Sequence, residues 1–260
     1  METRAFEIGL GVVLQAKSLN DDPYYSINQV QRAIVQTSSS REKMVIKPNL
    51  PPDEILREFY SACIAYELGL PVPAQYLVFD AKTKQIFYGC QYCDYPDLGK
   101  KAKKNEAYAK QLFSTFSKWK GFRTTIVFDE LIHNVDRHLG NILWAGDQDY
   151  ILIDHGLTFG ATLVGKPDLN LLITFLEKVL NSNAQVSKEI EKCRNIAATM
   201  SVSLADETHA KLLGQHLYNL AEMASTYGDN LKKILDKNRK NIDSLLSARG
   251  PTPTLELPSC

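Results

Sequence analysis

The alternation of apolar and polar positions divides the chain into a strand-rich first third and a helical remainder. Residues 30–37 form a β-branched run, Ser38, Ser39, Ser40 and Arg41 interrupt it, and 44–47 is apolar again, which predicts a hairpin. Pro51, Pro52 and Asp53 stop that strand and open a helix. Its apolar positions Ile55, Phe59, Ala62, Cys63 and Tyr66 keep helical spacing until Gly69, so the predicted helix spans 53–68. Pro71 and Pro73 then lead into strands at 75–80 and 85–90, joined by a polar turn.

After Gly89 the pattern breaks. Asp94, Pro96, Asp97, Gly99 and the lysines at 100, 101, 103 and 104 read as a linker. Beyond it, 106–116 and 124–133 are predicted helices, and 141–144 and 150–154 are short apolar runs flanking a hairpin loop. Stretches 169–180, 187–200 and 206–246 carry helix-period hydrophobics, while 250–260, with three prolines, reads as a loose tail. The expected fold class is α+β and bilobal, a small β-rich N-lobe with one helix and a mainly helical C-lobe. The expected limits are 1–90 for the N-lobe, 91–99 for a hinge, 100–249 for the C-lobe and 250–260 for the tail.

Composition narrows the function classes. A chain of 260 residues can bury a substantial core. Its 30 basic and 30 acidic residues cancel, so bulk charge predicts no nucleic-acid partner. The lysine run reads as a solvated helix face or loop, with a local basic groove left open. Five cysteines in no repeated framework argue for reduced thiols and a cytoplasmic protein. The apolar stretch 10–14 is far too brief for a membrane span, so no membrane partner is expected.

Chemistry concentrates in His133-Asn134-Val135-Asp136-Arg137-His138-Leu139-Gly140-Asn141, followed after the predicted hairpin by Ile153-Asp154-His155-Gly156. Phosphoryl transfer needs a carboxylate to orient the attacking hydroxyl and oxygen ligands for magnesium. Asp136 suits the first role. Asn141, five residues on, and Asp154 in an Asp-x-Gly triplet suit the second. His138 is expected to hydrogen-bond within the loop and to orient Asp136 or the transferring phosphate. His133 and His138 lie five apart, unlike the four that stacks two histidines on a helix face, so they are not read as metal ligands. His209 and His216 read as surface or packing residues. Upstream, Lys47 ends an apolar strand, and Glu58, one turn into the next helix, can face it; Glu54 and Glu67 are the alternatives.

These residues resemble the HipA-like kinases, a branch of the kinase-like fold also related to the phosphoinositide 3- and 4-kinases. The resemblance rests on Asn134-x-Asp136-Arg137-x-x-x-Asn141, on Ile153-Asp154-His155-Gly156, on Val45-Ile46-Lys47-Pro48, and on Arg57-Glu58 followed by Glu67-Leu68-Gly69-Leu70-Pro71-Val72-Pro73. It implies a protein-kinase-like fold using ATP and Mg2+, with Asp136 as base, Asn141 and Asp154 on magnesium and Lys47, oriented by Glu58, on the nucleotide phosphates. Some relatives phosphorylate translation components. No Gly-x-Gly-x-x-Gly occurs, so the loop 37–43 with Ser38, Ser39 and Ser40 is expected to cover the phosphates; the three serines read as a simple polar turn in preference to a regulatory site, at which added phosphate would oppose nucleotide binding. Cys90-x-x-Cys93 falls where a kinase hinge runs, which places adenine-binding backbone groups near Gln91 and Cys93 in preference to a redox pair or half a zinc site. Longer relatives carry extra N-terminal sequence, so regulation through such a region is not expected; an inhibitory partner is left open. The expected function is transfer of the γ-phosphate of ATP to a Ser or Thr hydroxyl of a protein substrate. The alternatives are a small-molecule or lipid kinase, and a pseudokinase binding module.

Overall fold

Strand pairing closes the N-terminal part on itself. The computed structural model describes residues 6–18, 30–103, 105–146, 148–161, 170–180, 182–200 and 224–249. Strands β1 (Ile8–Ser18), β2 (Gln31–Gln36), β3 (Arg41–Lys47), β4 (Gln75–Asp80) and β5 (Gln85–Gln91) form a barrel in the order β1-β2-β3-β5-β4. The hairpins β2-β3 and β4-β5 match the sequence pattern, whereas β1 was not foreseen. It pairs antiparallel with β2 and parallel with β4, and this second pairing closes the barrel. Gly9 and Gly11 permit the closure, since a Cβ at either would lie 2.4 Å from the Tyr76 ring or 2.3 Å from Val35. Ala33, Val35, Met44, Ile46, Val78 and Phe87 fill the interior. Leu10, Val12 and Leu14 point outward, so β1 lacks the usual apolar-in pattern and shows only a short apolar run.

Helix α1 (Pro52–Glu67) links barrel and helices and is buried on most sides, with Leu56, Phe59, Tyr60, Cys63 and Ile64 all fully enclosed. Two prolines open it without a side-chain cap. The C-terminal part holds α2 (Leu98–Ala102), α3 (Glu106–Ser117), α4 (Phe122–Leu131), the hairpin β6-β7 (Ile142–Gly146, Asp149–Leu152), α5 (Leu171–Val179), α6 (Asn183–Thr199) and α7 (Asp229–Arg249). The expected linker is thus partly helical, because Asp97 accepts a hydrogen bond from the Lys100 amide and caps α2.

An aromatic cluster fixes α3 and α4 against the β6-β7 hairpin. Phe116 packs edge-on to Phe122 and Tyr150, with centroids 5.1 and 4.8 Å apart, and stacks on Trp119. Helix α7 braces the end of α4: Asn238 donates to the Leu131 carbonyl at 2.9 Å and Arg249 pairs with Glu130 at 3.1 Å. The architecture is mixed α+β, β-rich first and helical after, with the closed five-stranded barrel as the departure from expectation. Residues 206–223, with His209 and His216, and the tail 250–260 lie outside the described residues. The described cysteines, Cys63, Cys90, Cys93 and Cys193, are free thiols. Among the described residues no helix is long and apolar enough to cross a membrane.

Candidate active site

Strand β3 ends on Lys47, and α1 brings Glu58 against it from the other side. Lys47 Nζ donates to Glu58 Oε1 at 2.5 Å and, 107 residues further along the chain, to Asp154 Oδ1 at 2.7 Å. Glu58 is therefore the partner, and neither Glu54 nor Glu67 takes that place. Burial alone would push the Lys47 ammonium down, but the Asp154 and Glu58 carboxylates outweigh it and hold the pKa well above the ordinary lysine value. Burial pushes Glu58 upward, only partly offset by Lys47. For Asp154 burial works in the same direction, yet Lys47, Arg137 and His138 together keep its carboxyl below the usual range. Two carboxylates share one ammonium here, and of the three side chains Asp154 is the one that reaches solvent, 31% exposed.

Glu58 has a second task. Its Oε2 accepts the His155 amide at 2.8 Å, so one fully buried side chain fixes both the strand lysine and the backbone next to Asp154. Asp154 itself sits at φ 59, in the left-handed region that non-glycine residues adopt at a cost of about 1–3 kcal/mol and mostly at functional sites. Arg57 donates to the Gly156 carbonyl at 2.7 Å, anchoring the following turn on α1. A Cβ at Gly156 would lie 2.6 Å from Glu54 Oε1 and 3.0 Å from its Cγ. Gly156→Ala should therefore force Glu54 aside and cost about 1–3 kcal/mol as an overpacked site does. Thermal unfolding checks this, and an unchanged midpoint would show the contact to be soft.

The loop before β6 is built on a buried ion pair that sequence reading left unused. Arg137, completely enclosed, pairs through Nε with Asp129 of α4 at 3.2 Å and donates from Nη1 to the carbonyls of Asn141 at 3.2 Å and Ile153 at 2.9 Å. Asn134 donates to the same Asp129 at 2.9 Å and accepts the Asp136 amide at 3.0 Å. One guanidinium thus ties the strand before Asp154 to the loop that carries Asp136. Burial pushes Asp129 up to about 6, with Arg137 pulling the other way. The signal in the sequence was Asp129 standing eight residues before an arginine inside the motif, which only the fold makes a pair.

Asn141 Nδ2 donates to the Asp136 carbonyl at 2.9 Å, which turns its Oδ1 away from that bond as a free acceptor. His138 accepts the Gly140 amide on Nδ1 at 3.0 Å, and its Nε2 lies 3.8 Å from Asp136 Oδ2. Asp136, His138, Asn141, Asp154, Lys47 and Glu58 are thus connected through direct contacts and the Arg137 bridge. His155 is buried edge-on to Phe128, and burial, with Arg137 and Lys47 nearby, drives its pKa well down, so it stands as a neutral packing residue.

The serine turn does not join this group. In the β2-β3 register Gln36 faces Arg41 and Gln31 faces Ile46, so residues 37–40 cap one end of the hairpin and Lys47 ends the other. Six residues of strand at about 3.3 Å each separate them by about 20 Å. Ser39 and Ser40 also donate their amides to Thr37 Oγ1, at 3.3 and 3.0 Å. Ser38, Ser39 and Ser40 therefore cannot cover phosphates held at Lys47, and a phosphate on them would not lie beside the triphosphate. The connection at the Lys47 end runs from Ser18 to Gln31, partners in the β1-β2 register, and residues 19–29 lie outside the described residues. Gln91 closes β5, and its amide and that of Tyr92 are committed to the carbonyls of Ala74 and Lys43. Cys93 follows, its thiol 3.8 Å from the Gln91 carbonyl.

A β barrel above helices, with a strand lysine paired to a helix glutamate and facing an Asp-x-Gly turn, defines a kinase-type phosphotransferase. The sequence model of the HipA-like kinases matches residues 34–203, and the chain belongs to this HipA-like kinase family. In fold it is similar to the crystal structure of a Helicobacter pylori proinflammatory kinase, CtkA. That likeness covers 90% of this chain and 95% of the other, at 15% identity and a TM-score of 0.55. No curated protein matches the chain.

Proposed function

We propose that the protein transfers the γ-phosphate of ATP to a Ser or Thr hydroxyl of a protein, with magnesium. The observation that carries this is Lys47 held between Glu58 and Asp154. Lys47 would meet the nucleotide phosphates, and Glu58 keeps it charged and aimed. Asp154 Oδ2 and Asn141 Oδ1 are hard oxygen donors, a donor set that fits magnesium. Among the described residues no three His, Cys, Asp or Glu side chains converge on one metal position, so such an ion would be shared with the phosphate oxygens. Bound there, it supplies neutralisation of charge on the phosphates.

Asp136 orients the acceptor hydroxyl and takes its proton as the new oxygen–phosphorus bond forms and the bond to ADP breaks. His138, beside it, steadies the carboxylate. Because the Gln91 and Tyr92 amides are already committed, the Cys93 backbone is the donor in this segment that would meet the adenine edge.

The test is transfer of labelled γ-phosphate to proteins of a cell extract, with and without chelator, alongside thermal unfolding in Mg-ATP. Mg-ATP at a hundred times its Kd should stabilise the fold by about 2.7 kcal/mol, and chelation should remove both the shift and the labelling. A shift without labelling would leave a nucleotide-binding pseudokinase; labelled lipid or metabolite in place of protein would move the acceptor class.

A further inference from the structure

Side chains two apart on a strand share a face, so Val45 and Lys43 stand on the Lys47 side of β3. The register sets Arg32 of β2 and Cys90 of β5 abreast of Val45, on that same side. Met44 and Ile46, turned into the barrel, are fully buried, whereas Val45 and Cys90 are half-buried and Arg32 is exposed. Beyond β5 the chain continues along β3, since the Tyr92 amide donates to the Lys43 carbonyl at 2.9 Å. A nucleotide with its phosphates at Lys47 and its base edge at the Cys93 backbone would therefore pass beneath Val45.

Arg32 reaches across this roof. Its Cζ stands 4.6 Å from the centre of the Tyr92 ring. Strand β2 and the segment of Tyr92 flank β3 on opposite sides, two strand spacings or about 9.6 Å apart, so the side chain crosses β3 beside Val45 to make this contact. The Tyr92 hydroxyl donates to Asp94 Oδ1 at 3.0 Å, which fixes the ring that receives the guanidinium. Tyr92 lies beside Lys43, four residues or about 13 Å along β3 from Lys47. The guanidinium is thus held at the base end of the cleft, away from the phosphate end. One of its faces rests on the ring, and because the residue is exposed the other is left for a planar ligand. Guanidinium stacks on aromatic faces, and every nucleobase offers one.

We infer that Arg32 is a nucleotide-binding residue that stacks on the base, held over it by Tyr92. The inference rests on the kinase reading above, with the base edge at Cys93. Mg-ATP, adenosine and Mg-tripolyphosphate are titrated, directly and in competition, against the wild type, Arg32→Ala, Tyr92→Leu and Tyr92→Phe. Arg32→Ala should weaken Mg-ATP and adenosine by the same factor, about tenfold, and leave Mg-tripolyphosphate unchanged. Tyr92→Leu, which takes away the ring under the guanidinium, should weaken the same two ligands about threefold, while Tyr92→Phe keeps the ring and stays near wild type. Arg32 is exposed, so thermal unfolding without nucleotide should match wild type and separate binding from folding. Equal loss of Mg-ATP and Mg-tripolyphosphate in Arg32→Ala, with adenosine unchanged, overturns the inference in favour of a phosphate contact. Unchanged Mg-ATP binding in Arg32→Ala also overturns it and leaves the kinase reading standing. A wild type that binds none of the three removes the kinase reading and this inference together.

Discussion

Asp136→Asn should lower phosphate transfer by about 10²–10⁴-fold, the usual contribution of a positioned general base, while Mg-ATP still stabilises the variant. Asp154→Ala should abolish transfer and the Mg-ATP shift together. On the proposed reading the two differ because Asp136 would act on the acceptor hydroxyl, whereas Asp154, bound by Lys47 at 2.7 Å, would stand on the magnesium and nucleotide side. Neither loss is a folding defect. Removing Asp154 takes one of two like charges away from a single ammonium, and Lys47 keeps its bond to Glu58. Apo stability of Asp154→Ala should therefore stay within about 1 kcal/mol of wild type, the net worth of a typical hydrogen bond. Transfer assays and denaturant unfolding on the same preparations separate these effects; an Asp136→Asn protein as active as wild type would remove the base assignment.

Much of this site was legible because its chemistry is local in sequence. Asp136, His138 and Asn141 fall within six residues, and Asp154 follows one hairpin later, so spacing alone conveys the loop. The pairing of Lys47 with Glu58 was legible too, since a strand end and the next helix leave few places for the two to meet. What failed depended on a strand that the pattern hid. With Leu10, Val12 and Leu14 exposed, β1 shows no buried alternation, so the sequence pattern offers the β2-β3 turn as the phosphate loop. Once β1 is paired, the turn at Ser38, Ser39 and Ser40 moves to the far end of the sheet. The Arg137–Asp129 pair and the seat of α2 were hidden for a different reason. Burial of a charge, and a contact between Gly99 and Gly140, are properties of packing that residue type does not announce.

Arg137→Met tests the packing that joins the two halves of the site. It leaves Asp129 buried without its counter-charge, takes the guanidinium donor from the Ile153 carbonyl and leaves the Asn141 carbonyl with the Ile153 amide alone. Removing one partner of a buried pair costs about 3–5 kcal/mol, a large part of the 5–15 kcal/mol typical of a folded protein. The loss should depend on pH. Asp129 has its pKa raised to about 6 from an ordinary 3.8. A group raised on folding favours the fold at low pH, and that contribution is lost as pH rises through the folded value. Without Arg137 the pKa rises further, because only the lowering influence has been removed. The gap between variant and wild type should thus be widest near pH 8 and narrow near pH 5, where Asp129 is protonated and needs no cation. Adding Asp129→Asn should restore much of the stability at pH 8, since the amide keeps a partner in Asn134, but not the transfer rate, since the guanidinium that bonds the carbonyls of both Asn141 and Ile153 is still missing. Urea unfolding at both pH values, with transfer assayed at pH 8, separates the two roles. A loss of equal size at both pH values would show that Arg137 stabilises through its carbonyl bonds and not through Asp129.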